Sequence, residues 1–112
     1  MERDLKARTK RFALDIIDLV EKLPNTISSR AIANQLIRSG TSVPANYRAA
    51  TRGRSNKEFI AKLGVVIEEA DESEFWLELI QDKGWLEVNS LKTEASELVA
   101  IFVSIVKKMK NK

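Results

Sequence analysis

Residues 55–84 read SNKEFIAKLGVVIEEADESEFWLELIQDKG. Ser55 followed by Glu58 forms a capping box, in which the two side chains satisfy orphan backbone amides at a helix start. From there Phe59, Leu63, Val66, Ile67, Ala70, Leu77 and Ile80 recur with the spacing of one helix face. No proline interrupts the run, and Gly84 stops it. The stretch predicts one long amphipathic helix over about 55–83.

The same pattern extends in both directions. Leu5, Phe12, Ile16, Leu19 and Leu23, widened by Ala13, Ile17 and Val20, predict a helix over about 3–23, ended by Pro24-Asn25. Thr26–Ser29 can cap a second helix, about 27–52, carrying Ile32, Leu36, Val43 and Tyr47. Pro44 lies inside that pattern and removes the bond to the carbonyl of Gly40, so a kinked helix is expected, with two shorter helices as the alternative. Gly53 suits a left-handed cap at its end. Asn46 is expected to hydrogen-bond across the kink. Asn89-Ser90 cap a fourth helix, about 90–109, with Leu91, Ala95, Leu98, Phe102, Ile105 and Met109 on its face. Four such helices on short loops predict an all-α, antiparallel up-down-up-down four-helix bundle, one domain over residues 1–112. Repeats and low-complexity tracts are absent.

Composition narrows the function. The 112 residues are 44% hydrophobic and 31% charged, which suits one folded helical domain and argues against disorder. The chain holds no cysteine and no histidine, which excludes disulfides, thiolate or imidazole metal sites, and Cys–His or Ser–His nucleophiles. No apolar run reaches the roughly 18 residues of a membrane span, and Met1-Glu2-Arg3-Asp4 does not open a signal peptide, so a reduced, cytoplasmic setting without membrane contact is expected. No cofactor is implied.

The segment Gln35-Leu36-Ile37-Arg38-Ser39-Gly40-Thr41-Ser42-Val43-Pro44-Ala45-Asn46, followed by Arg54-Ser55-Asn56-Lys57-Glu58-Phe59, resembles the bacterial four-helix-bundle family called 23S rRNA intervening-sequence proteins. The likeness covers most of residues 12–86. It departs at Tyr47-Arg48-Ala49-Ala50-Thr51, where many relatives read I-A-E-G. The resemblance implies an up-down bundle, a ring-like homopentamer and no enzymatic activity. The chain is also similar to accessory proteins of diversity-generating retroelements, which bind nucleic acid and a reverse transcriptase, so RNA, DNA and such a protein are the implied partners.

Topology sharpens the net charge of +3. An up-down bundle gathers the start of helix 1, the helix 2–3 turn and the end of helix 4. Residues 1–11, 45–62 and 105–112 hold fourteen basic and three acidic side chains, against five and thirteen elsewhere. Arg3, Lys6, Arg54 and Lys57 stand at helix starts, where the dipole disfavours cations, so helix stability does not explain them. A phosphate-bearing partner does, through counterion release. Arg48, Arg52, Arg54, Lys57, Lys62, Arg3, Lys6, Lys107 and Lys108 are the nucleic-acid candidates. A merely solvated basic end, on a protein-only assembly module, is the competing reading.

Two further features carry expectations. Glu68, Glu69 and Glu72, with Glu94 and Glu97, resemble the E-E-x-x-E…E-x-x-D pattern of all-α nucleoside triphosphate pyrophosphohydrolases, which hold Mg²⁺ between helices. Against this, Glu97 replaces the final Asp and Glu72 points away from the core stripe. The alternative is ion pairing across helices 2 and 3, with Arg38 level with Ala70 and Arg30 with Glu78. Surplus apolar surface on helix 3 (Val65, Phe75, Trp76, Leu79) and along residues 98–106 of helix 4 points to burial against other subunits, with a helix wedged deeply among the other three as the alternative. Gly64 is expected to mark a close helix approach.

Overall fold

The computed structural model describes residues 4–111. It contains four helices and no strand among them: α1 (Leu5–Val20), α2 (Ile27–Thr51), α3 (Asn56–Asp82) and α4 (Asn89–Lys110). They pack lengthwise into a body of 48 × 20 × 19 Å, whose long axis slightly exceeds the roughly 40 Å of a 27-residue helix such as α3. Arg3, a candidate site residue, lies outside the described residues.

Local chemistry sets the helix ends. Asp4 caps α1 by accepting from the Ala7 amide at 3.2 Å. Thr26 caps α2 through Ser29, and half of the expected capping box forms: the Glu58 amide donates to Ser55 Oγ at 3.1 Å, while the Glu58 carboxylate lies 3.5 Å from the same hydroxyl instead of taking the Ser55 amide. The start of α4 differs from expectation. Asn89 is already helical, and its amide donates to the Glu87 carboxylate instead of being capped from Asn89-Ser90. Gly53 is not left-handed either, since Gly84, at φ +72°, is the one residue with positive φ among those described.

Pro44 does not divide α2. The helix runs through it, and side chains around the missing amide take up backbone carbonyls. Thr41 Oγ1 donates to the Ile37 carbonyl, Ser42 Oγ to that of Arg38, and Asn46 Nδ2 to that of Ser42, at 2.7, 2.7 and 2.9 Å. The last bond spans the proline as expected.

The core joins all four helices through Phe12, Ile16, Leu36, Val43, Leu63, Val66, Leu77, Ile80, Leu98 and Phe102, each fully or almost fully buried. The loop residue Val88 joins them, although it belongs to no periodic stripe. Between α2 and α3, buried Ser39 and Ser73 meet Oγ to Oγ at 2.8 Å. Each hydroxyl also reaches a carbonyl of its own helix, Ser39 that of Leu36 at 3.3 Å and Ser73 that of Glu69 at 2.8 Å. Ile17, placed in the core stripe by periodicity, is 39% exposed, as its offset from Phe12 and Ile16 on the helix wheel allows.

Two glycines play opposite parts. A Cβ at Gly40 would stand 2.5 Å from Ile16 Cδ1, so hydrogen at this position is what lets α1 and α2 close on each other. A Cβ at Gly64 would meet nothing within 4 Å. Gly64 therefore marks no close approach within the chain, contrary to the sequence-based expectation. Gly64→Ala should raise stability by about 0.5–1 kcal/mol through helix propensity. Gly40→Ala should lower it by about 1 kcal/mol or more, because overpacking against buried Ile16 outweighs the same propensity gain. Urea unfolding of both variants checks the pair, and a stabilised Gly40→Ala would contradict the packing.

Candidate nucleic-acid interface

The start of α1 and the end of α2 lie side by side. Lys6, Lys10, Thr41, Pro44, Ala45, Arg48 and Arg52 line one cleft of about 470 Å³. Beyond it, Arg54 in the α2–α3 turn borders a shallower hollow shared with Ala50, Phe59 and Met109, which brings the end of α4 to the same region. Lys107 and Lys108 flank Met109 in sequence and are exposed, as is Lys57 in the first turn of α3. Lys62 lies further along α3, beside Glu58, Ala61 and Val65. The eight described candidates thus gather around the region where the ends of all four helices meet, with Lys62 at its margin.

These cations are not held by the protein's own acids. Among the described residues no ion pair involves Lys6, Lys10, Arg48, Arg52, Arg54, Lys57, Lys62, Lys107 or Lys108. The helix dipole accounts for Arg48, Lys107 and Lys108, which occupy last turns. It works against Lys6, in the first turn of α1. Lys6 with Lys10, and Arg48 with Arg52, are like-charged i,i+4 pairs, each unfavourable by a few tenths of a kcal/mol. Lys10 was not singled out by sequence. Its signal was the four-residue step from Lys6, which only the neighbouring α2 rim makes meaningful. Tyr47, on the same half of α2, packs its ring 5.4 Å from that of Phe102, and burial raises its hydroxyl above the ordinary 10.0. It stays uncharged near neutral pH.

Several acidic side chains on α3 and α4 have arginine partners. Arg38 reaches Glu69 at 3.2 Å and also binds Glu72, close to the level expected for it on α3. Arg30 does not meet Glu78; it donates to Asn25 Oδ1 at 2.6 Å. Arg8 makes paired bonds to Glu94 at 2.7 and 2.8 Å and a third to Glu97 at 2.8 Å, clasping α1 to α4. Counting Arg8 with the basic end therefore overstates the charge there, because two carboxylates of α4 lie on it. Four of the five carboxylates in the Mg²⁺-binding pattern, Glu69, Glu72, Glu94 and Glu97, are divided between two arginines. Among the described residues no three acidic groups are placed to hold a metal ion.

The candidate oligomer interface is uneven. Phe75 is 49% exposed and meets the Trp76 ring edge-on at 5.1 Å. Val65 and Leu79 are half-buried. Trp76 instead packs partly on the core and donates its indole N–H to Glu72 at 3.0 Å. On α4, Val99, Ile101, Ile105 and Val106 also rest partly on the core, so the chain itself covers much of that surplus. Leu14 and Ile17 on α1, at 37% and 39% exposure, extend the exposed apolar surface beyond α3.

An all-helical bundle with a charge-segregated surface and no metal-binding cluster among the described residues defines the class. The chain belongs to the 23S rRNA-intervening sequence protein family, whose model matches residues 2–105. A solved protein of unknown function from the S23 ribosomal protein family of Bacteroides thetaiotaomicron is 33% identical, with a TM-score of 0.85 over 91% of this chain and 97% of that one. A comparison with curated proteins gives no match. No helix among the described residues is long and apolar enough to cross a membrane.

The α1–α4 clasp is testable separately from binding. Arg8→Ala should cost about 1 kcal/mol, since its partly buried bidentate bond to Glu94 is stronger than an exposed pair. A double-mutant cycle with Glu94→Gln in urea should return coupling of similar size. Additive losses would show that the clasp contributes nothing to stability.

Proposed function

We propose that the chain is a non-enzymatic, homo-oligomeric scaffold that binds the phosphates of structured RNA or DNA through its basic end. The observation that carries this reading is the α1–α2 cleft, where four cations converge with no acid lining it. Elsewhere Arg8 and Arg38 answer neighbouring carboxylates, so the uncompensated charge is local. A polyanion gains from such a cluster by releasing its counterions, and a folded chain without an anionic partner gains only solubility. No aromatic stacking platform accompanies the cations, so binding reads charge and shape more than base sequence.

Self-association is the second part of the proposal, and Phe75 supports it. A half-exposed aromatic backed by Trp76 is a suitable anchor for another subunit. The pentameric ring implied by the family resemblance would repeat the basic end around an axis and add avidity. A partner protein of the reverse-transcriptase kind would then be held beside the nucleic acid.

Light scattering of the protein alone, and with a structured RNA at two salt concentrations, checks both parts. The expected result is an oligomer that gains mass with RNA at low salt and loses it at high salt. Changing Arg48, Arg52 and Arg54 together to Ala should abolish the gain without changing the oligomer. Phe75→Asp should reduce the mass to that of smaller species. A monomeric wild-type protein would overturn the assembly, and an oligomer indifferent to RNA would leave a protein-only module.

A further inference from the structure

We infer that the α1–α2 cleft seats two successive phosphates of one nucleic-acid strand, with Lys6 and Lys10 on one rim and Arg48 and Arg52 on the other. The inference rests on the nucleic-acid reading above and assigns it to one place. Four residues of helix rise separate the two cations on each rim by ~6 Å, on the order of one nucleotide step along an extended backbone. Two helices in direct contact, as Ile16 and Gly40 are, stand ~8–10 Å apart. A trough that narrow admits the backbone of one strand, whereas a whole duplex can only rest on its rims.

The floor supports a strand over a free polyphosphate. Pro44 has no amide hydrogen and Ala45 presents only a methyl group. Thr41 also lines the floor, but its hydroxyl proton is given to the Ile37 carbonyl at 2.7 Å. The floor therefore supplies no hydrogen-bond donor, and all capacity to hold an anion sits on the rims. A strand matches this arrangement, with phosphates at the rims and a sugar over Pro44 and Ala45. The arginines can hold phosphate oxygens in pairs while the lysines act as point charges. Bases face outward and are not read.

The test measures the affinity of the full-length protein for a labelled single-stranded oligouridylate between about 50 and 200 mM salt. Two variants remove equal charge from the same end: Lys6, Lys10, Arg48 and Arg52 to Gln, or Arg54, Lys57, Lys107 and Lys108 to Gln. All eight side chains are exposed, and circular dichroism confirms that both variants fold. The cleft variant should lower the slope of log affinity against log salt by about 1.4, the single-strand value for two phosphates. The other variant should lower it by less than half as much. A charge-keeping variant, Lys6→Arg with Lys10→Arg, should hold the wild-type slope. Equal losses from the two Gln variants would overturn the cleft while leaving nucleic-acid binding intact. Binding of a structured RNA without binding of the oligouridylate would overturn the single-strand seat, and absence of binding to both would overturn the broader reading. Calorimetry with pyrophosphate separates the sources of phosphate, since tighter binding of pyrophosphate than of the strand would overturn the assignment to a strand.

Discussion

The closure of α1 onto α2 at Gly40 is the contact on which the surface chemistry depends. With a Cβ there, Ile16 Cδ1 would be met at 2.5 Å, and this fully buried side chain would have to repack or the two helices move apart. With glycine neither is needed, and the exposed edges of α1 and α2 become the two rims of one cleft. Lys6 and Lys10 then face the same trough as Arg48 and Arg52. α2 also runs unbroken through Pro44 to Thr51, which keeps Arg48 in line with Thr41, Pro44 and Ala45 along the cleft. A buried glycine contact and a continuous α2 thus position four charges that neither helix would gather alone.

The rest of the electrostatics sharpens that cluster. Arg38 bridges α2 to Glu69 and Glu72 of α3, and Arg8 bridges α1 to Glu94 and Glu97 of α4. The more exposed pairs, those of Arg38 and of Arg8 with Glu97, contribute little stability, the partly buried Arg8–Glu94 bond contributes more, and all of them fix which helix faces meet. They also occupy cations that would otherwise compete for an anion.

Much of this was legible in the sequence because helical periodicity and capping are local. The long α3, its Ser55 cap, the core positions Leu63, Val66, Leu77 and Ile80, and the gathering of basic residues around the helix ends all follow from spacing along the chain. What could not be read depended on contacts between distant residues. Gly64 and Gly40 look alike in sequence, yet only Gly40 has a neighbour within reach. Arg8 counts as one more cation until α4 places two carboxylates beside it. Lys10 gains meaning only from the facing rim of α2. Val88 is buried from a loop and follows no helical period. Glu69, Glu72, Glu94 and Glu97 have metal-binding spacing, and it is their arginine partners that give them another role.

The most direct measurement is an NMR titration of the protein, isotopically labelled on lysine and arginine side chains, with a short single-stranded oligonucleotide at low salt. Lys6, Lys10, Arg48 and Arg52 should shift first and saturate together, while Arg8 and Arg38, already engaged with carboxylates, stay in place. Shifts spread evenly over Arg54, Lys57, Lys107 and Lys108, or no shift at any of the cleft residues, would contradict a seat between α1 and α2.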